Sequence, residues 1–301
     1  PMTALDARPV VVPDDAEPRL NKRSRHIRGT RPGWFIYACL AVVMLASVFP
    51  FYWSLLIGSG DSYTIRDPNM SWIPGGNFFA NAAKVVNDPA VNFWMALWNS
   101  IVSSALIAAS VVFFSTLAGW AFAKLRFRGS SWLLVFVIAT MAVPTQLGVV
   151  PLYILFSDLG WTGQLGAIIV PALVSAFGVF WMTQYLRQAV PDELIEAARV
   201  DGASSFRTFL TVGLPAARPA AAMLALFTFV SAWNNFFWPF IVLDRQNPTL
   251  PVALSLLQSN YFVDYSIVLA GVLLATIPLL ILFVFAGKQL VSGIMQGAVK
   301  G

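Results

Sequence analysis

Charge and metal-binding side chains are scarce in this chain. Asp, Glu, Lys and Arg make up 11% of its 301 residues, against roughly 25% in an average soluble domain, which excludes an ordinary soluble fold. There is one cysteine, Cys39, set in an apolar run, and one histidine, His26. A disulfide framework needs paired cysteines and a Cys/His metal site needs a cluster, so both are excluded. No G-x4-G-K-[ST] stretch occurs anywhere, so the phosphate-cradling loop used by many ATPases is absent. What is present is apolar: 58% of residues are hydrophobic and the mean hydropathy is +0.72. The chain reads as an integral membrane protein, and as all-α, because in lipid each backbone polar group must be bonded within its own segment unless a barrel closes. A net charge of +5 would suit nucleic acid in a soluble protein. In a membrane protein the placement of charge matters more than its sum, and no nucleic-acid partner is expected.

Six apolar segments are long enough to cross a bilayer: 34–57, 94–121, 132–156, 164–187, 218–243 and 266–287, given about 20 residues per crossing. Residues 1–31 are Pro-rich and charged, ending in Lys22, Arg23, Arg25, Arg28 and Arg31, a composition that buries no core and reads as a disordered tail. With that tail inside, sixteen of the nineteen Lys and Arg fall on the inner side and only Arg66, Lys84 and Arg245 on the outer. This asymmetry predicts six transmembrane helices with both termini cytoplasmic. The domain reading is a cytoplasmic tail (1–31), a six-span membrane domain (32–288) containing a polar loop (188–217), and a cytoplasmic C-terminal tail (289–301). The outer loop 58–93 carries the turn signals Asp67-Pro68-Asn69 and Pro74-Gly75-Gly76, which suggest turns rather than a folded domain.

None of the six segments has an ionisable residue in its central part. A mid-bilayer charge costs roughly 2.5–3.5 kcal/mol on insertion scales, so proton- and ion-coupled carriers keep one for a reason. Its absence argues against a proton-driven pump. Work done by this chain would then draw on energy supplied by another protein.

The loop offers a place for that protein. Residues 196–215 read EAARVDGASSFRTFLTVGLP and fit EAA-x3-G-x9-[IV]-x-L-P at seven positions: Glu196, Ala197, Ala198, Gly202, Val212, Leu214 and Pro215. At average composition such a match arises by chance on the order of 10⁻⁷ per starting residue. Pro191 suits the start of a helix, and Asp192 and Glu193 suit its positive end. Gly202 after Asp201 is a natural stop. Ser204 can cap a second short helix carrying Phe206, Phe209, Leu210 and Gly213, with Pro215 closing it. The small side chains of Ala197 and Ala198 leave room for close approach. Physics alone leaves an amphipathic interfacial helix as the other reading.

The polar groups inside the apolar segments are neutral and neighbour aromatics. The fifth segment reads SAWNNFFWPF, grouping Trp233, Asn234, Asn235 and Trp238 around Pro239, which ends or bends the helix. The third places Gln146 between Pro144 and Pro151, and the fourth contributes Trp181 and Gln184. Amides meet sugar hydroxyls as donors and acceptors, and aromatic faces stack on C–H faces, so Asn234, Asn235, Trp233, Trp238 and Gln146 are candidates for a substrate path. The alternative is that the aromatics form interfacial belts and the amides bond across helices.

The polar loop resembles the EAA loop of ABC importer permeases. From about Pro32 to Gly301 the chain resembles the carbohydrate-type permeases of that class, of the maltose-permease G-subunit kind. The stretches NFFANAAKVV, NSIVSSALIA, GWAFAKLRFRG, MAVPTQLGVVPLY, WNNFFWPFIVL, TLPVALSLL and GIMQGAVKG carry this likeness. FFSTLAGWAFAKLRFRG and DELIEAARVDGASSFRTF look most like actinobacterial cellobiose and β-glucoside permeases. The resemblance implies a type I ABC importer permease fold in a bacterial cytoplasmic membrane, and a transport subunit rather than an enzyme. Its implied partners are a second, F-type permease, an ATPase dimer and an extracellular solute-binding protein, with ATP and Mg held by the ATPase and no cofactor on this chain. Glu196, Ala197, Ala198, Asp201, Gly202, Leu214 and Pro215 would dock the ATPase. The loop from Asn247 to Asn260, led by Asn247, Pro248, Thr249, Leu250 and Pro251, would probe the binding protein. The tail from Gln296 to Gly301, with Gln296, Lys300 and Gly301, would reach between the ATPases. The competing reading is a self-sufficient secondary carrier for a neutral solute.

Overall fold

The computed structural model describes residues 33–259 and 262–298, so the tail 1–31, Asn260, Lys300 and Gly301 lie outside the described residues. Helices and turns make up the described chain, with no strand among the described residues. The helices are α1 (Trp34–Gly58), α2 (Phe78–Asn87), α3 (Phe93–Lys124), α4 (Ser130–Thr140), α5 (Val149–Asp158), α6 (Gly166–Ile169), α7 (Ala176–Ala189), α8 (Asp192–Val200) and α9 (Ser205–Thr208). A π-turn (Phe209–Gly213) leads into α10 (Leu214–Trp233), followed by α11 (Phe237–Val242), α12 (Leu250–Ser255) and α13 (Tyr265–Ala298). The chain divides into two units with the boundary between Val48 and Phe49, inside α1; the packing and the sites described below belong to the second.

Five helices are long and apolar enough to cross a membrane, or six when α4 and α5 count as one broken crossing. The third predicted segment is therefore not a straight helix. It stops at Thr140, bends by 85° and resumes at Thr145. Pro144 explains the break, since its ring disfavours helical geometry in the residue before it. The fifth segment breaks as well, but not at Pro239 as predicted. α10 ends at Trp233, and Pro239 sits inside α11; the interruption falls on Asn234, Asn235 and Phe236. Nor does Pro215 close a short helix. It occupies the first turn of α10, where no N–H is needed, and the chain continues from α9 through the π-turn for 29 residues in all. The loop 58–93 is more ordered than its turn signals suggest, because Asn81, Ala82 and Val85 of α2 are buried. At the other end α13 runs unbroken to Ala298, so no backbone break separates 289–298 from the last apolar helix.

α3 is the centre of the packing. It buries Asn99, Ser100, Ser103, Ser104, Ser115 and Thr116 along with its apolar positions, the small and hydroxylated set by which helices approach closely in lipid. One core cluster joins Val111 and Trp120 of α3 to Met182 and Leu186 of α7, Ile195 of α8, Phe209, and Ala217 and Leu224 of α10. A second joins Val85 of α2, Phe93 and Ala96 of α3, Trp233, Leu250 and Leu254 of α12, and Val268 of α13. A third, smaller cluster ties α5, α6 and α11 through Phe156, Ala167, Ile168 and Val242.

Candidate functional site

The 188–217 segment forms a nine-residue helix, a glycine turn and a second helix. α8 begins after Pro191 with Asp192 and Glu193 in its first turn, acidic residues at the positive end of the helix dipole. It ends in a Schellman motif: Gly202 N–H donates to Arg199 O at 3.0 Å and Ala203 N–H to Ala198 O at 2.9 Å. Gly202 has φ +76°, the left-handed conformation that glycine takes without steric cost. Ser204 caps α9, its Oγ accepting from Arg207 N–H at 3.3 Å. Within α8 only Ile195 is buried. Glu196 and Ala197 are exposed, Ala198 is half-buried, and Asp201, Gly202, Leu214 and Pro215 are exposed. Val200, 88% exposed, adds an apolar side chain to this face that motif matching left out. Asp192 Oδ1 lies 2.7 Å from Lys124 Nζ. The hydrogen bond and charge of Lys124, with a smaller push from Arg126, hold the Asp192 carboxyl below the usual carboxylate range.

The neutral amides lie at the two helix breaks. Gln146 sits in the 3-10 turn Thr145–Gly148, between α4 and α5, and is exposed. Asn234 and Asn235 lie between α10 and α11, exposed as well. Interrupted helices at membrane depth are tolerated where they line a cavity, and discontinuous helices mark binding sites in many transporters.

An open cleft of about 490 Å³ adjoins the second break, lined by Trp233, Asn234, Phe236, Pro251, Ser255, Gln258 and Thr276 among others. It brings Trp233 and Asn234 together with Pro251. It does not include Asn235, Gln146 or Trp238. Trp238 belongs to the third cluster, where its Nε1–H donates to Ala167 O at 2.9 Å and its ring packs on Phe156. Trp181 is likewise committed, donating to Ala220 O at 3.3 Å. Trp233 is 3% exposed and one ring face stacks on Phe229, so Phe236 is the aromatic that the cleft presents. Asn234 Nδ2 donates to Val230 O at 2.9 Å, and its Oδ1 accepts from no group among the described residues. Gln258 and Thr276 were missed in the sequence, because they come from the turn after α12 and from α13, far from Asn234 along the chain.

The segment from Asn247 is held on α3. Pro248, Thr249 and Leu250 are buried, and hydrogen bonds anchor their backbone to that helix. Asn99 Nδ2 donates to Pro248 O at 3.0 Å and Leu250 N–H donates to Ser100 Oγ at 2.7 Å. Asn247, half-buried, donates from Nδ2 to Gly163 O at 3.1 Å. Asp244, Arg245, Gln246, Gln258 and Ser259 are exposed here. Beyond them Asp264 caps α13 and accepts from Ser62 Oγ at 2.6 Å. Desolvation would raise its pKa, but the hydroxyls of Ser266 and Ser62 and the backbone N–H groups outweigh it and hold the carboxyl below its usual range. Gln296 lies within α13.

Apolar helices broken at neutral amides flank an exposed polar helix pair, and the proteins this chain matches make it a membrane transport component rather than an enzyme. The profile described as "Binding-protein-dependent transport system inner membrane component" matches residues 111–294, and the chain belongs to that family. The arabinooligosaccharides transport system permease protein of Halalkalibacterium halodurans is 30% identical over 279 residues, covering 91% of this chain and 99% of that one. The lactose transport system permease protein of Rhizobium radiobacter is 30% identical over 275 residues, 91% of this chain and 98% of that one. In a crystal structure of a bacterial ABC transporter involved in the import of the acidic polysaccharide alginate, one chain superposes with a TM-score of 0.71. It covers 85% of this chain and 95% of its own length at 22% identity, a likeness of fold.

Proposed function

We propose that this chain is one of two permease subunits of an ABC importer that carries a di- or oligosaccharide inward across a bacterial cytoplasmic membrane. The observation that carries the reading is the exposed EAA helix: a complete motif with a capped, glycine-terminated geometry on a chain that has no ATP-binding loop. Glu196, Ala197, Ala198, Asp201 and Gly202 dock a separate ATPase, which holds the ATP and Mg. The chain crosses the membrane six times, α4 and α5 together forming one crossing, with both termini in the cytoplasm. Residues 32–288 form the permease domain, with cytoplasmic segments on either side. The charge asymmetry supports that topology.

Closure of the ATPase dimer moves the EAA helix, the helices rock to open the path outward, and sugar passes in from a solute-binding protein. ATP hydrolysis then resets the path inward. Asn234, Asn235 and Gln146 meet the sugar at the two breaks, with Phe236, Gln258 and Thr276 beside Asn234. The exposed residues around Asn247 meet the binding protein, and the end of α13, from Gln296 on, meets the ATPases. Neutral amides at the breaks and the absence of ionisable residues from the central parts of the apolar segments favour an uncharged solute. The two stretches that resemble cellobiose and β-glucoside permeases favour cellobiose among the disaccharides.

The test is a pull-down of this chain from membranes in mild detergent, with mass spectrometry, followed by uptake assays with cellobiose, maltose, lactose and arabino-oligosaccharides. Recovery of a Walker-motif ATPase and a second permease, lost with Glu196→Lys, supports the reading. Recovery of the chain alone, still transporting in liposomes without ATP, would overturn it in favour of a secondary carrier.

A further inference from the structure

Trp120 and Lys124 stand one turn apart at the C-terminal end of α3, and side chains at i and i+4 share a helix face. That face touches both flanks of the 188–217 segment. At the leading flank, Lys124 Nζ is 2.7 Å from Asp192 Oδ1, with the lysine side chain 4% exposed and the aspartate 74%. This is the one ion pair among the described residues. It joins two helix ends of opposite polarity: the cation sits at the negative end of α3 and the anion at the positive end of α8.

At the trailing flank, Trp120 is 4% exposed and packs on Phe209, ring centroids 5.8 Å apart. Its ring also lies against Gly213, where a Cβ would come 2.6 Å from Cε3. Phe209 and Gly213 are the first and last residues of the π-turn, a helix irregularity that recurs at functional sites. The Trp120 Nε1–H is buried with no partner among the described residues.

Between these flanks α8 has a single buried side chain, Ile195, which joins the same cluster as Trp120 and Phe209. Besides the backbone, which continues into α7 and α10, a displacement of the segment has few side-chain routes into the apolar helices, and two of them end on the same turn of α3. We propose that Trp120 and Lys124 are positioning residues that grip the two flanks of the EAA segment, so that movement imposed on α8 becomes movement of α3. This rests on the docking of an ATPase at α8 proposed above. Lys124 carries the link to α8 and Trp120 the link to the π-turn. α3, which packs against α7 and α10 through the first core cluster, passes the movement to both.

The experiment uses the assembled transporter, purified through this chain and reconstituted with its binding protein. It measures ATP hydrolysed per molecule of radiolabelled cellobiose imported, or of whichever disaccharide a deletion strain no longer takes up. Lys124→Met and Trp120→Ala are expected to raise that ratio about threefold or more, the scale on which contacts modulate coupling between sites. The ATPase should still co-purify at the wild-type ratio, and Lys124→Arg should restore the ratio. Arg126 adds to the field at Asp192, so Lys124→Met is also read with Arg126→Gln. A merely structural role would lower the yield of complex while leaving ATP per sugar unchanged. An unchanged ratio in both variants, with the ATPase still bound, overturns the grip and leaves docking intact. Failure of even the wild-type chain to recover an ATPase overturns the docking reading, and the grip with it.

Discussion

Gly202 allows the geometry of the EAA segment to be tested in graded steps. Its φ of +76° costs an ordinary L-residue roughly 1–2 kcal/mol, whereas Asn visits that region more readily. A Cβ added there meets nothing within 4 Å, so the cost is conformational, with no clash mixed in. α8 is only nine residues long, far below the length at which a helix is stable by itself, so its last turn depends on the cap. Gly202→Asn should be close to neutral. Gly202→Ala should cost about 1 kcal/mol and raise the open population of the turn about fivefold. Gly202→Pro cannot adopt the angle, since its ring fixes φ near −65°, and it removes the N–H that donates to Arg199 O. It should abolish uptake while the chain still inserts. Amide hydrogen exchange at Gly202 and Ala203 in detergent, beside sugar uptake in cells, reads both effects. Equal protection in the Asn and Ala variants, or normal uptake by the Pro variant, would refute the reasoning.

Three further predictions follow from contacts elsewhere. Trp238→Phe removes the indole bond to Ala167 O, a carbonyl of a fully buried residue, and should cost about 1–2 kcal/mol, seen as a lower unfolding temperature with uptake per folded molecule unchanged. Asn234→Ala and Gln258→Ala should each weaken sugar uptake by about fivefold, the value of a neutral hydrogen bond, with the ATPase still co-purifying; full uptake by both would remove the cleft from the path. The carboxyl of Asp264 has its pKa lowered in the fold, so its stabilising effect is present above the unfolded value of about 3.9 and is lost as pH falls through the lower folded value. Asp264→Asn should therefore lower the unfolding temperature at pH 7, and the gap from wild type should close toward pH 3.

The parts of this fold that were legible in the sequence are those fixed locally. Gly202 and Ser204 terminate and start helices through their own backbone and hydroxyl chemistry, and the observed Schellman and N-cap bonds are the ones their positions imply. The ends of α1 and α3 fall within three residues of the expected segments because long apolar runs set them. What escaped was set by neighbours distant in the chain. Pro144 announced a break in the third segment, but hydropathy alone bridged it. The break after Trp233 comes before Pro239, at residues with no strong helix preference. Pro248 to Leu250 looked like an exposed loop, yet Asn99 and Ser100 of α3 capture their backbone. Trp233 looked like a stacking surface until Phe229, one turn earlier, took its face. Gln258 and Thr276 carried no local signal, because only the fold brings α12 and α13 beside Asn234.

Asn81 bears on how the chain is made. The last carbonyls of a helix have no partner within it, and bare carbonyls are costly in lipid. At the end of α1 one such group, Gly58 O, accepts from Asn81 Nδ2 at 3.0 Å, and Gly60 O, just beyond the helix, accepts from the same amide at 2.9 Å. That amide is 2% exposed and lies on α2, some twenty residues later in synthesis. The first apolar helix is thus finished only once α2 has emerged and folded back. Reporter fusions used to map the insertion of α1 belong after residue 90, because a junction between 60 and 80 would strand its end without the side chain that completes it.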